Sequence, residues 1–415
     1  MTSEPPEIHI LSKRPTTLGT QQFINPKYIS ADNDIVMLST SGKVIRWLAV
    51  ILSVLVMLLG IGMIIDGVYG LGGGQIRMLF NLATHPLIGL ALGILVTAVL
   101  QSSSTTTALT VTAVGVGLVP VEVAIPIILG ANIGTTITVF LVSFTFVRKR
   151  KQFRRAFTSA SLHGLFNILL VAIILPVELL FSPLERLSRL LTETVLGADV
   201  QISDAGVIFT VIFQPVIDFF GMDGLLGSIF DLRVAAALCL LSGTLLILLG
   251  VRSVSAQLRI LMAATTRTLL AKSSGASDAL GFLSGLGGTL ALQASTVTVS
   301  SLVPFAAEKS LRPRELLTIT LGANVGTTLS SVVIALTLPG NYGGFALQAA
   351  VIHLLFNLIG SLVVLLVPPV RTLILFLAEK LAGSAQRSYS ITFSVIMAFY
   401  ILIPVGALTL YSIFS

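Results

Sequence analysis

Residues 89–107 read Gly-Leu-Ala-Leu-Gly-Ile-Leu-Val-Thr-Ala-Val-Leu-Gln-Ser-Ser-Ser-Thr-Thr-Thr, an apolar run that ends in an unbroken row of neutral polar side chains. Its period-four positions, Gly89, Gly93, Thr97 and Gln101, return 192 residues later (281 minus 89) as Gly281, Gly285, Thr289 and Gln293, followed by Ala294, Ser295 and Thr296. Each copy has a second part: Leu-Gly-Ala-Asn-Ile-Gly-Thr-Thr at 129–136 and Leu-Gly-Ala-Asn-Val-Gly-Thr-Thr at 321–328, at the same offset. Matching polar interruptions in the two halves of an apolar chain are the mark of a membrane protein built from an internal repeat.

Composition supports this. Of 415 residues, 54% are hydrophobic and only 10% charged, far below the quarter usual in soluble domains. The net charge of +7 sits in loops between apolar runs, where basic residues orient a chain in the bilayer, so it points to a lipid bilayer and not to nucleic acid. With a single cysteine, Cys239, no disulfide within the chain can form. The fold class expected is an all-α polytopic membrane protein with two inverted-topology repeats. Each repeat carries a re-entrant helical hairpin and broken helices.

Taken in order, residues 1–42 read as a flexible cytoplasmic tail and 43–181 as the first transmembrane repeat. Residues 182–232 read as an acidic extracytoplasmic loop with an amphipathic segment, and 233–370 as the second repeat. A cytoplasmic linker and a last span occupy 371–415. Spans are expected at 44–69, 121–147, 156–181, 233–251, 315–338, 345–368 and 391–413, with a glycine-rich break at Gly70–Gly74 and a surface-lying basic helix from Arg252 to Lys272. The apolar run 86–100 is too short to cross and a polar turn follows it, as in a re-entrant hairpin; a second hairpin is expected from Asp278 to Ala307. Such backbone is tolerated at membrane depth only where protein or a wet cavity covers it.

Loop charge gives the relative orientation. The first Gly-Ala-Asn segment is followed by Arg148, Lys149, Arg150, Lys151, Arg154 and Arg155, whereas the loop after the second is uncharged. Conversely, the turn before the second segment carries Lys309, Arg312 and Arg314, and the turn before the first carries no basic residue. Equal motifs flanked by opposite charge should run in opposite directions through the membrane, with the N-terminus cytoplasmic.

Glycines at four-residue spacing let helices approach closely, and packing suffices to explain Gly89 and Gly93. It does not explain six consecutive hydroxyls after Gln101, because unpaired polar groups in an apolar medium cost several kcal/mol each. Hydroxyls and N–H groups at the start of a helix donate to a small oxyanion. Hydroxyl oxygens together with the amide carbonyls of Gln293, Asn132 and Asn324 suit a hard alkali cation such as Na⁺. No residue cluster resembles a transition-metal site or a cofactor site. His163 and His353 lie in matching His-x-x-Phe-Asn segments, each one turn from its Asn167 or Asn357, where a structural hydrogen bond is expected and a proton or ion role is the alternative.

Residues 97–107, the two Gly-Ala-Asn-x-Gly-Thr-Thr segments, Arg-Arg-Ala-Phe at 154–157, His-Gly-Leu-Phe-Asn at 163–167, Pro-Gly-Asn at 339–341 and 346–357 resemble the type II sodium–phosphate cotransporters. That resemblance, from about residue 45 onward, implies uptake of inorganic phosphate across the cell membrane, driven by Na⁺ as coupling ion, with no cofactor and no enzymatic activity. Carried over by position, phosphate would contact Gln101, Ser102, Ser103, Ser104, Gln293, Ser295 and Thr296. Sodium would use Gln293, Ser295, Thr327 and Ser330, with Thr135 and Thr138 as the equivalents in the first repeat.

Three departures stand out. Ala294 replaces the first serine of the family's second motif. Gly164 stands where electrogenic members carry aspartate, which implies an electroneutral cycle. Residues 182–232 lack the family's cysteines and any Asn-x-Ser/Thr site, which points to a bacterial member. The same scaffold could instead export phosphate, carry another oxyanion or form a channel. A hydrolase pairing a serine of 102–104 with His163 is the remaining alternative.

Overall fold

In the computed structural model, residues 40–83, 85–196, 203–271, 277–336 and 343–414 are described, and among them regular structure is helical throughout. The order is α1 (Thr40–Ala83), α2 (Pro86–Leu100), α3 (Ser103–Gly115), α4 (Val121–Gly134), α5 (Thr136–Phe144), α6 (Arg150–Phe181), α7 (Pro183–Leu196), α8 (Ser203–Phe220) and α9 (Leu225–Ile229). There follow α10 (Leu232–Ala271), α11 (Asp278–Leu292), α12 (Ser295–Ala307), α13 (Pro313–Leu336), α14 (Gly343–Leu366), α15 (Pro368–Ala385), α16 (Tyr389–Met397) and α17 (Ile403–Phe414). A π-helical turn, Ala398–Leu402, joins α16 to α17. Among the described residues seven helical runs are long and apolar enough to cross a membrane, and they coincide with the seven spans read from sequence. The short apolar helices Pro86–Leu100, Asp278–Leu292 and Ser295–Ala307 fall below that length.

Burial ranks the spans. The runs Val121–Phe144 and Pro313–Leu336 are 83% and 72% buried over their most apolar windows, against 17% for Tyr389–Phe414. The two Gly-Ala-Asn segments therefore form the centre, and the last helix lies at the periphery. Glycine makes this centre possible. A Cβ on Gly93 would stand 2.1 Å from the Ile127 carbonyl oxygen, and one on Gly285 would stand 1.9 Å from that of Ile319. In return, Cβ atoms on Gly130 and Gly322 would meet the carbonyl oxygens of Leu90 and Phe282 at 2.2 and 1.8 Å. Each hairpin thus packs backbone against backbone on the helix that follows it, α2 on α4 and α11 on α13.

The second arm of each hairpin crosses to the other half. Helix α3 packs on α13 and α14, and α12 packs on α5 and α6. The long helices α1 and α10 pair with each other through Gly60 and Gly243, and Ser53 Oγ reaches Ser253 Oγ at 2.6 Å. Phe144, Phe153, Phe157 and Phe140 make an aromatic cluster that holds the last span through Phe393, Tyr389 and Tyr400.

Two boundaries differ from expectation. The glycine-rich stretch does not break the first span, since α1 continues as helix through Gly70–Gly74 to Ala83. Glycine weakens a helix by about 1 kcal/mol per residue but does not forbid it. The basic stretch from Arg252 is no separate surface helix either, because α10 runs unbroken from Leu232 to Ala271; Lys272 lies outside the described residues. The acidic 182–232 region is largely helical, as α7, α8 and α9. Residues 1–39, most of the expected tail, lie outside the described residues, as does most of the uncharged turn at 339–344.

The glycine contacts yield a stability test. Gly285→Ala should lower stability by about 1–3 kcal/mol through overpacking. Gly406→Ala, which meets nothing within 4 Å, should not. Thermal unfolding of the detergent-purified protein would check both, and equal midpoints would contradict the close-packed centre.

Candidate functional site

At residue 101 the chain must leave α2 and turn back as α3 within one or two residues. Gln101 does so in the left-handed region (φ 53, ψ 30), and Ser102 follows in extended conformation (φ −151). The second turn repeats this geometry almost degree for degree: Gln293 has φ 52 and ψ 26, and Ala294 has φ −157. A left-handed non-glycine residue costs on the order of 1 kcal/mol or more, so two equivalent glutamines in this conformation mark turns that the surrounding packing enforces. Behind each turn a threonine pair ties the two arms together, Thr97 Oγ1 to Thr106 Oγ1 at 2.8 Å and Thr289 Oγ1 to Thr298 Oγ1 at 2.9 Å.

The turns differ at the cap. Ser102 Oγ accepts the Thr105 amide at 3.2 Å and bonds to Thr105 Oγ1 at 2.8 Å, so it caps α3. Ala294 occupies the same place on α12 and offers no side-chain cap. The hydroxyl missing from the second motif is therefore a helix cap as well as a polar group.

The two turns meet. Ser104 Oγ donates to the Gln293 backbone oxygen at 3.4 Å. Gln293 itself is held by its Nε2 donating to the Leu290 oxygen at 3.0 Å and by a short bond from Ser330 Oγ to its Oε1. Ser103, Ser104 and Ser295 are buried at the starts of α3 and α12, Ser102 and Thr296 are half-buried, and Gln101 is exposed. Thr327 lies one turn before Ser330 on α13, and its hydroxyl donates to the Ala323 oxygen at 3.1 Å. Their equivalents Thr135 and Thr138, where α4 gives way to α5, keep buried hydroxyls without a hydrogen-bond partner among the described residues.

Asn132 and Asn324 point elsewhere. Asn132 Oδ1 accepts from His353 Nε2 at 3.3 Å and from Asn357 Nδ2 at 3.0 Å. In the mirror arrangement, Asn324 Oδ1 meets His163 Nε2 at 3.0 Å, and Asn324 Nδ2 donates to Asn167 Oδ1 at 3.4 Å. The two amides thus join the halves to each other, and neither is seen among the hydroxyls of the turns. Asn167 and Asn357 do bond to His163 and His353 along their own helices, but to the backbone oxygens, at 3.0 and 3.1 Å. The imidazole Nε2 atoms face the opposite half, while His353 Nδ1 meets Ser331 Oγ of its own half at 3.5 Å. His163 Nε2 is thus engaged by Asn324, and the serine–histidine pair that the hydrolase alternative needs is not formed among the described residues.

Sequence reasoning missed the crossed His–Asn contacts and the bond between Tyr400 and Thr136. The first had a signal in the equal spacing of the two motifs. The second had none, because Tyr400 lies outside both repeats.

The fold and these paired turns define a multi-pass α-helical membrane protein whose two halves present equivalent polar hairpins to one another. The chain belongs to the Na⁺/Pi-cotransporter family, whose model matches residues 56–197 and 246–379, well over half of it. Among similar proteins, the sodium-dependent phosphate transport protein 2B of Bos taurus is 27% identical over 433 residues, covering 83% of this chain and 62% of the relative. The 2B protein of Homo sapiens is 29% identical over 431 residues, covering 82% and 62%. The 2C protein of Rattus norvegicus is 28% identical over 355 residues, covering 69% and 59%. The chain therefore spans about three-fifths of the length of the curated relatives it matches. No solved structure matches it significantly.

The cap difference is testable. Ala294→Ser should restore the cap of α12 and raise stability by about 0.5–2 kcal/mol, while Ser102→Ala should lower it by a similar amount. Unfolding midpoints that move in the same direction for both variants would contradict the assignment.

Proposed function

We propose that this protein is a secondary active symporter that carries inorganic phosphate into the cell with Na⁺. The observation that carries this reading is the contact between the Ser104 hydroxyl and the Gln293 backbone oxygen, which brings two helix starts and two helix ends to one place. The first turn of a helix leaves amide N–H groups without intrahelical partners and carries the positive end of the dipole, so it suits an oxyanion. The Ser103, Ser104, Ser295 and Thr296 hydroxyls add donors there, with Gln101 and Ser102 at the rim. Sodium in this reading takes Gln293, Ser295, Thr327 and Ser330, where Oε1 and the Ser330 hydroxyl already lie in contact.

Thr135 and Thr138 supply the equivalent oxygens of the first half, and their unpartnered buried hydroxyls support a second polar binding position. Asn132 and Asn324 drop from the ligand set, since their carbonyl oxygens already accept from imidazole and amide donors. Opposite loop charge around the two motifs supports inverted repeats with re-entrant hairpins, a cytoplasmic N-terminus and alternating access to one midplane site in the cell membrane.

Proteoliposomes with an inward sodium gradient and labelled phosphate test this directly; phosphate uptake indifferent to sodium would refute the coupling. Ser103→Ala should raise the phosphate concentration needed for half-maximal uptake roughly ten- to hundred-fold, the expected loss of one hydrogen bond to a charged group. Unchanged uptake would remove the first turn from the site.

Gly164 bears on charge movement. A Cβ there would stand 2.9 Å from two atoms of the buried Phe140 ring, so an aspartate cannot be introduced alone without displacing that ring. The double variant Gly164→Asp, Phe140→Ala relieves the clash. It should convert electroneutral uptake into uptake that generates a membrane potential, read with a voltage-sensitive dye; an unaltered dye signal would count against the missing carboxylate as the cause.

A further inference from the structure

Away from the paired turns, a cavity of about 400 Å³ opens between the start of α6 and the end of α15. Arg154, Lys380 and Arg387 line it, with Glu379 as the one acid among the lining residues. Among the described residues none of these three cations has a carboxylate within 4 Å, although the ion pairs of Arg314 and Arg371 with Asp278 and of Arg189 with Glu185 show that basic side chains elsewhere in the chain find acidic partners. The floor is fixed in place: Gln386 Nε2 donates to the Arg150 oxygen at 2.9 Å, joining the end of α15 to the start of α6.

The chemistry of α15 changes along one side. Leu373 and Phe376 are exposed apolar side chains, Lys380 follows one turn after Phe376 with Nζ 5.3 Å from its ring centroid, and Arg387 lies in the turn just past the end of the helix. Steps of three and four residues keep Leu373, Phe376 and Lys380 on one face of α15. An apolar surface that grades into a cluster of unpaired cations matches an amphiphile with a negatively charged head. It does not match a free ion, which has no use for Leu373 or Phe376. The cavity also lies at the end of the molecule bearing the Arg148–Arg155 run, the side that loop charge assigns to the cytoplasm, where anionic headgroups attract clustered basic residues.

We propose that this cavity binds the phosphate headgroup of an anionic phospholipid, with Arg154, Lys380 and Arg387 on the phosphate and the acyl chains along Phe376 and Leu373. The site is separate from the proposed transport turns and does not depend on their reading. Binding to the folded state raises its unfolding temperature in proportion to the logarithm of ligand concentration once the site is saturated.

The test uses the full chain purified in a neutral detergent, with thermal unfolding followed against dioctanoyl-phosphatidylglycerol, dioctanoyl-phosphatidylcholine and inorganic phosphate. The expected result is an upward shift with phosphatidylglycerol that phosphatidylcholine does not reproduce. The triple variant Arg154→Gln, Lys380→Gln, Arg387→Gln should lose that shift while unfolding at the wild-type temperature without lipid. Glu379→Gln, which removes the one acid, should enlarge the shift and serves as a second variant that needs no loss of stability to be read. Equal shifts with both lipids, a phosphatidylglycerol shift that survives in the triple variant, or a reduced shift in Glu379→Gln would each overturn the proposal. A shift with inorganic phosphate that the triple variant abolishes would reassign the cavity to the free ion; one that the triple variant retains belongs to the turns and leaves the lipid site standing.

Discussion

Buried polar groups must find partners, and in this protein they find them in the opposite half of the chain. His163 on α6 bonds to Asn324 on α13, and His353 on α14 bonds to Asn132 on α4, each pair more than 150 residues apart in sequence. Burying any of these four groups alone would cost on the order of 1–3 kcal/mol. Neither half can therefore bury its central helix well without the other. The crossed packing of α3 on α13 and α14, and of α12 on α5 and α6, follows the same exchange. The contact of the two glutamine turns is a consequence: once α4 and α13 are exchanged as hydrogen-bond partners, the hairpins that pack on them through glycine are carried to a common point.

The near identity of the two turns has a backbone origin. A helix that must reverse direction in one residue needs a left-handed conformation there, and in both copies that residue is glutamine. Glycine would adopt the conformation more easily, at the loss of the side chain. Gln293 shows what the side chain contributes, with Nε2 closing the end of α11 on the Leu290 oxygen and Oε1 reaching Ser330. The strain of the turn is thus borne by a residue whose amide is used on both sides.

Much of this is legible in the sequence, and what is not has particular reasons. The spans could be read because apolar runs of membrane length leave few alternatives, and the hairpins because an apolar run too short to cross ends in a polar turn. The end of α1 is not legible because the glycine content of 70–74 describes local weakness, whereas helix continuation to Ala83 is set by the context of the whole element. The continuation of α10 past Arg252 is not legible either, since charge marks the membrane surface but does not end a helix. The His–Asn motif suggested a pair within one helix. One turn apart, however, both side chains project from the same face, so the imidazole is free to reach the neighbouring helix while the amide folds back on the backbone oxygen. Ala294 was visible as a missing hydroxyl, but its capping position required the extended conformation that only the backbone reveals.

A charge argument connects the turns to coupled transport on the proposed reading. Residues 97–107 and 289–301 contain no Asp, Glu, Lys or Arg, so neither turn carries a formal charge to bind an ion. Each turn instead brings together the end of one helix, α2 or α11, and the start of another, α3 or α12. The partial charges are roughly −0.5 and +0.5, and they nearly cancel within a turn. A lone anion would meet donors at the helix starts but also carbonyl oxygens at the helix ends, and its desolvation would be poorly offset. A lone cation faces the reverse difficulty. The two together satisfy both ends, the anion on N–H and hydroxyl groups and the cation on carbonyl and amide oxygens, while neutralising each other at short range in a medium of low dielectric constant. A neutral polar turn built from opposed helix termini thus favours joint occupancy over either ion alone, which is the thermodynamic requirement for symport.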